Sequence, residues 1–343
     1  MVADKVNRKW LVVGSLFVWS AVTLAMGYAT SFNQLYYLRG IMGISEALYI
    51  PSALSLLADW HEGKSRSLAI GIHMTGIYMG QAIGGFGAVV AALLSWKMAF
   101  HWFGIIGIVY ALVLGMLLHE KPSHGQTLNV AAQKTAPKAS LLSGFGVVLS
   151  NWVFWVILFF FAVPSLPGWA TKNWLPTLFA QNLGIPMEEA GPISTITIAA
   201  SSFLGVILGG SLSDWWVKRH LKGRVYTSAI GLGMTIPALV LLGYGHHLSA
   251  IVGAGLLFGV GYGMFDANNM PILCQFISAK QRATAYGIMN MTGVFAGAAV
   301  TQVFGKWTDG NQLGVGFALL GGIVALALVA QLWFLKPKTD NME

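Results

Sequence analysis

A chain of 343 residues has room for two or three soluble domains, but 56% of this one is hydrophobic and only 9% carries charge, against about a quarter in a soluble fold. With a mean hydropathy of +0.67, the chain belongs in a lipid bilayer, which excludes disorder and nucleic-acid binding, and its single cysteine, Cys274, excludes an intrachain disulfide framework. The net charge of +8 is a matter of topology, as its distribution along the chain makes clear.

Apolar runs of about 20 residues, the length that crosses a hydrocarbon core, fall at 10–28, 34–58, 67–94, 98–118, 147–180, 191–212, 226–245, 249–273, 283–305 and 313–335. The fifth contains Pro164, Pro167 and Gly168 and is expected to bend or break there, since proline removes a backbone donor and clashes one turn back. Short loops between the other spans leave no room for a soluble domain. The expected fold is an all-α membrane protein of ten spans, divided into a first half at 1–118, a cytoplasmic linker at 119–146, a second half at 147–335 and a tail at 336–343.

The cations sort by side. Sixteen of the 20 Lys and Arg residues lie in the N-terminal segment and in the loops and tail on the same side, the opposite loops hold only Lys97 and Lys306, and Arg39 and Lys172 fall inside spans. By the positive-inside rule both termini are cytoplasmic, as an even number of spans requires. The first 27 residues imitate a secretory signal, ending in Ala25-Met26-Gly27. Removing them would leave nine spans and put the termini on opposite sides, against the charge distribution.

Self-comparison shows a repeat. The second span reads Arg39-Gly40-Ile41-Met42-Gly43-Ile44-Ser45-Glu46-Ala47 with Pro51 five residues past the acid. The eighth reads Gly259-Val260-Gly261-Tyr262-Gly263-Met264-Phe265-Asp266-Ala267 with Pro271 in the same place. Arg66 through Ile72 answers Arg282 through Ile288, and Met74-Thr75-Gly76 answers Met291-Thr292-Gly293. Asp4-Lys5-Val6-Asn7-Arg8-Lys9 precedes span one as Asp214, Lys218, Arg219 and Arg224 precede span seven. Two spans precede the second acidic loop and none the first, so two helices are expected to be missing from the first copy.

These residues resemble the major facilitator superfamily over the whole chain. In that family twelve helices form two six-helix halves, and each half carries a Gly-x-x-x-Asp-Arg/Lys-x-Gly-Arg-Arg/Lys loop between its second and third helices. Asp4 to Lys9 is similar to that loop from the acid onward, with Asn7 at the glycine, both residue types tolerating a left-handed turn. The resemblance implies that spans one to four stand as helices 3 to 6 and spans five to ten as helices 7 to 12. The Arg-Gly-x-x-Gly-x-x-Glu-Ala run with Pro51 is similar to helix 4 of anion:cation symporters and of spinster-like transporters. In the family pattern the loop acid caps a facing helix end and latches one state, which gives that role to Asp4, Arg8, Lys9, Asp214, Lys218, Arg219 and Arg224; topology signalling by the same cations is the other reading.

Glu46 stands near the middle of its span, where inserting a charge costs roughly 3 kcal/mol. Arg39, seven positions earlier, lies about 10 Å along the axis and within about 20° of the same face. The two side chains would line one water-filled path, Arg39 for an anionic substrate and Glu46 for a proton; an Arg-Glu pair fixing two helices is the alternative. Asp266 is the matching second proton site, or a satisfied polar contact, beside Asn268 and Asn269. Lys172 would line the cavity after the proline break or snorkel to the outer interface. Tyr37, Tyr49, His73, Asn268 and Asn290 complete the candidate substrate contacts. Glycines at four-residue spacing, Gly76-Gly80-Gly84, Gly205-Gly209, Gly255-Gly259-Gly263 and Gly293-Gly297, would let helices approach closely in lipid.

No phosphate loop, no His-Glu-x-x-His helix and no Cys-x-x-Cys pair occurs in the sequence, so neither an ATP-driven pump nor a metal centre is indicated. The resemblance and these residues together imply a secondary active transporter, not an enzyme. It would move a small organic anion such as a sugar acid with protons by alternating access, as a monomer in the cell inner membrane, without a cofactor. The alternatives are a spinster-like carrier of an amphipathic lipid and a truncated membrane protein without transport activity.

Overall fold

The computed structural model describes residues 8–60, 64–119, 149–150, 152–277 and 282–339. Among these every regular element is a helix, the form in which a chain satisfies its own backbone in lipid. In chain order they are α1 (Arg8–Met26), α2 (Phe32–Trp60), α3 (Lys64–Gly84), α4 (Gly87–Leu93), α5 (Trp96–Leu117), α6 (Trp152–Leu183), α7 (Met187–Val217), α8 (Gly223–Tyr244), α9 (Leu248–Asp266), α10 (Asn269–Phe276), α11 (Arg282–Asp309) and α12 (Leu313–Phe334). Ten spans become twelve helices because the third divides between α3 and α4 and the eighth between α9 and α10. Nine stretches of the described residues are long and apolar enough to cross a membrane. Among the ten spans, α2 is the one outside those nine stretches. Its 29 residues still extend about 43 Å, more than a hydrocarbon core of about 30 Å.

The chain divides into two compact units, Met1–Ile77 with Phe86–Pro137, and Tyr78–Gly85 with Lys138–Glu343. In the first, α1 packs on α2 and on α5; in the second, α8 packs on α9 and on α12. Span one therefore contacts spans two and four as span seven contacts eight and ten, so the repeat in the sequence is also a repeat in packing.

Backbone contact through glycine builds the second unit. Along the α7–α9 seam a Cβ on Gly255 would meet Thr197 Cγ2 at 3.0 Å, one on Gly209 would meet Met264 Cα at 2.5 Å, and those on Gly205, Gly259 and Gly263 would strike Val260 O, Ser201 Oγ and Ser202 O. Gly243 and Gly314 do the same between α8 and α12. The remaining glycine runs divide. Gly293 and Gly297 of α11 receive the rings of Phe161 and Trp169, whereas Gly76, Gly80 and Gly84 have nothing within 4 Å of an added Cβ among the described residues.

The proline expectations also divide. α6 continues through Pro164, Pro167 and Pro176 as one helix of 32 residues, so of the expected bend or break the break does not occur. Hydroxyls also bond the backbone along it: Ser165 Oγ donates to Phe161 O at 2.6 Å and Thr171 Oγ1 to Pro167 O at 2.9 Å. The break falls instead between α9 and α10. Pro271 has no N–H for Ala267 O, and Asn268, fully buried, donates from Nδ2 to Met264 O at 2.8 Å. α2 passes its corresponding Pro51 uninterrupted.

Candidate functional site

In the first unit the candidate residues gather on α2. Arg39 and Glu46 lie on one unbroken helix and are both exposed on the surface of the unit. Among the described residues neither side chain is held by a hydrogen bond or an ion pair. Tyr37 is exposed, its ring edge-on to Tyr36 at 5.7 Å. Tyr49 is locked by rings: Trp19 of α1 meets it edge-on at 5.1 Å and His73 of α3 lies 6.0 Å away. His73 Nε2 is buried with no hydrogen-bond partner among the described residues, which leaves it a donor or acceptor to spare.

In the second unit α6, α9 and α11 contribute. The Lys172 ammonium sits 5.0 Å from the centre of the Trp169 ring, one helical turn away, where a cation–π contact holds it over the face. Asn173 Nδ2 donates to Thr301 Oγ1 at 2.8 Å and ties α6 to α11. Asp266 is the last residue of α9 and is exposed at the break, where Asn269 Nδ2 donates to its Oδ1 at 3.1 Å. Tyr286 hydrogen-bonds Asn290 one turn further along α11. The Tyr262 ring stacks on Phe258 at 5.6 Å, and its hydroxyl covers Gly168 of α6.

Asn268, one of the expected substrate contacts, has 0% exposure and gives its amide to the α9 carbonyl one turn back. It is a pin for the helix break, and Asn269 is the residue that reaches the acid. Trp169, Asn173 and Thr301 were missed by the sequence reading. The spacing of three between Trp169 and Lys172 placed both on one helix face and was the available signal.

Of the residues expected in the latch, Asp4 lies outside the described residues and Arg8 opens α1. Lys9 stands over the Trp10 ring at 5.2 Å. Asp214 is exposed in the last turn of α7, and Lys218 caps that helix. Arg219 stacks on Trp215 at 4.2 Å, and Arg224 Nη1 reaches Pro271 O at 3.4 Å, joining the start of α8 to α10.

Comparison with known proteins agrees with this architecture. The family model described as Major Facilitator Superfamily matches residues 1–301 and 198–343. The chain is 24% identical over 361 residues to a probable galactarate/D-glucarate transporter, GarP, of Escherichia coli strain K12, an alignment covering 96% of this chain and 80% of the relative. It is 26% identical over 359 residues to the D-galactonate transporter of Escherichia coli O6:H1, covering 97% and 80%, and 24% identical over 357 residues to the hexuronate transporter of Bacillus subtilis, covering 98% and 81%. Among solved structures, a bacterial homologue of the human lysosomal transporter Spinster, inward-facing and occupied, superposes with a TM-score of 0.74 at 19% identity over 99% of this chain and 85% of that one. A mutant of the nucleoside transporter NupG gives a TM-score of 0.75 at 15% identity over 98% and 85%, and likeness at these identities speaks for the fold. Two helical units of repeated packing, an acid and a cation exposed on one membrane helix, and a family match along nearly the whole chain lead to one assignment: the chain belongs to the Major Facilitator Superfamily and is a multi-pass, non-enzymatic membrane transporter.

Proposed function

We propose that this chain carries a small sugar-acid anion across the cell inner membrane together with protons, Arg39 holding the substrate carboxylate and Glu46 carrying the proton. The observation behind this reading is α2, which presents a fixed cation and an acid two turns apart with no partner for either among the described residues. A charge stays inside a span when it serves a substrate or ion path, and a guanidinium matches a carboxylate with two parallel hydrogen bonds. Relatives named for galactarate, galactonate and hexuronate support an anionic sugar acid as the substrate class.

Arg39→Lys keeps the charge and loses the planar fork. The apparent affinity for radiolabelled galactonate should fall about tenfold, the equivalent of about 1.4 kcal/mol, at unchanged protein level. Unaltered uptake kinetics in Arg39→Ala would remove Arg39 from the site. Uptake that a lysophospholipid blocks and sugar acids leave untouched would assign the chain to amphipathic lipids instead.

The charge distribution supports cytoplasmic termini. Reporter fusions after Gly184 and after His247 should read outside, and fusions after Gln133 and after Lys222 inside. A single reversed pair would end this orientation.

A further inference from the structure

The second unit contains a cavity of about 20 Å³ lined by Ser228 of α8, Asn269 of α10 and Gln331 of α12, with Phe265, Ile272 and Leu335 around them. A water molecule needs about 10–15 Å³ of such space together with two to four polar partners. Ser228 and Gln331 are each 1% exposed. Gln331 Nε2 donates to Ser228 Oγ at 3.1 Å, yet Gln331 Oε1 is buried with no partner among the described residues. An acceptor buried and unpaired carries its full desolvation penalty. Ser228 receives a hydrogen bond there and keeps its own proton to give. Asn269 turns its Nδ2 to Asp266 Oδ1 at 3.1 Å, which leaves Oδ1, on the other prong of the amide, as an acceptor.

We propose that this cavity is the seat of one structural water molecule, which accepts the Ser228 hydroxyl proton and donates to Gln331 Oε1 and Asn269 Oδ1. Three hydrogen bonds are what a buried water typically makes. The water decides which prong of the Asn269 amide faces the acid: with its carbonyl held, the NH₂ group must point at Asp266. Asn269 is thereby a positioning residue for Asp266, whose titratable neighbours are Lys172 of α6, Tyr262 of α9, Tyr286 of α11 and Tyr78 of the segment 78–85. Only the link to transport rests on the proton-coupled reading above, with Asp266 as the second proton site that the sequence repeat suggests beside Glu46.

Ser228→Thr tests the water by the sign of its effect. The variant keeps the hydroxyl for Gln331 and adds a methyl group to the cavity. If water fills the space, the methyl expels it and strands two amide oxygens, so the melting temperature of the detergent-solubilised protein falls. If the space is a dry void, the methyl fills it and the melting temperature rises, which overturns the proposal. A high-resolution structure in nanodiscs gives a second reading: density within hydrogen-bond distance of all three side chains supports the water, and an empty cavity refutes it. The pH profile of uptake tests the positioning role. Asn269→Leu and Ser228→Thr should displace it in the same direction, a shift that destabilisation alone does not produce, and an unmoved profile in both removes that role. Uptake indifferent to protons in the wild type would defeat the coupling reading and leave the density and melting results to decide on the water.

Discussion

Glu46→Gln is expected to stop the substrate from accumulating against its gradient while exchange of substrate between the two sides continues. Glutamine has the shape and neutrality of a protonated glutamate, so the variant stands permanently in the proton-loaded form. Exchange moves no net proton and tolerates that form, whereas uphill transport must release the proton and cannot. Asp266→Asn should be the milder change. Asp266 already shares a hydrogen bond with Asn269 at 3.1 Å, and the position seven residues before it is Gly259, where the first copy has Arg39. The measurement is counterflow and proton-driven uptake in proteoliposomes for both variants. Uphill accumulation by Glu46→Gln, or loss of coupling from Asp266→Asn alone, would move the proton to another residue.

Gly205→Leu should leave little folded protein. A side chain at position 205 points at Val260 O of α9, and a backbone carbonyl inside a helix cannot rotate away as a side chain can. Overpacking where neighbours yield costs about 1–3 kcal/mol. Parting two helices along the Gly209, Gly259 and Gly263 contacts belongs with the exceptional losses of more than about 4–5 kcal/mol, comparable with the whole stability of a small domain. Gly210→Ala, one residue along, is the control. Nothing lies within 4 Å of its Cβ among the described residues, and alanine favours a helix interior by about 1 kcal/mol over glycine. Size-exclusion profiles and thermal melting should separate the two variants, and a normal monodisperse peak from Gly205→Leu would contradict the seam.

The spans were legible because 20-residue apolar runs have one physical use, and the repeat was legible because acid, proline and arginine recur at matching places in each copy. Helix interruption was not. Pro51 and Pro271 hold equivalent positions, yet α2 continues and α9 stops, where the Asn268 amide takes the Met264 carbonyl. Three prolines in α6 gave a strong breaking signal, yet the helix runs through all three. Glycine spacing named the α7–α9 seam correctly and gave the same pattern at Gly76, Gly80 and Gly84, because spacing reports a smooth face and says nothing about which helix comes to meet it. Among the candidate site residues, Arg39 and Glu46 could be picked out by their cost in lipid. Asn268 and Asn269 could not be told apart by sequence, since only geometry decides which amide is spent on the backbone and which reaches the carboxylate.

The α7–α9 seam has a further consequence in entropy. Glycine has no side-chain freedom to lose on packing, so this contact forms without the rotamer ordering that a leucine seam demands. In lipid the helices gain nothing hydrophobic by meeting, and close backbone contact supplies the dispersion energy in its place. Two helices joined in this way behave as one thick rod whose crossing is set by main chain. The side chains on its outward faces are then free to vary while the crossing of the two helices stays constant.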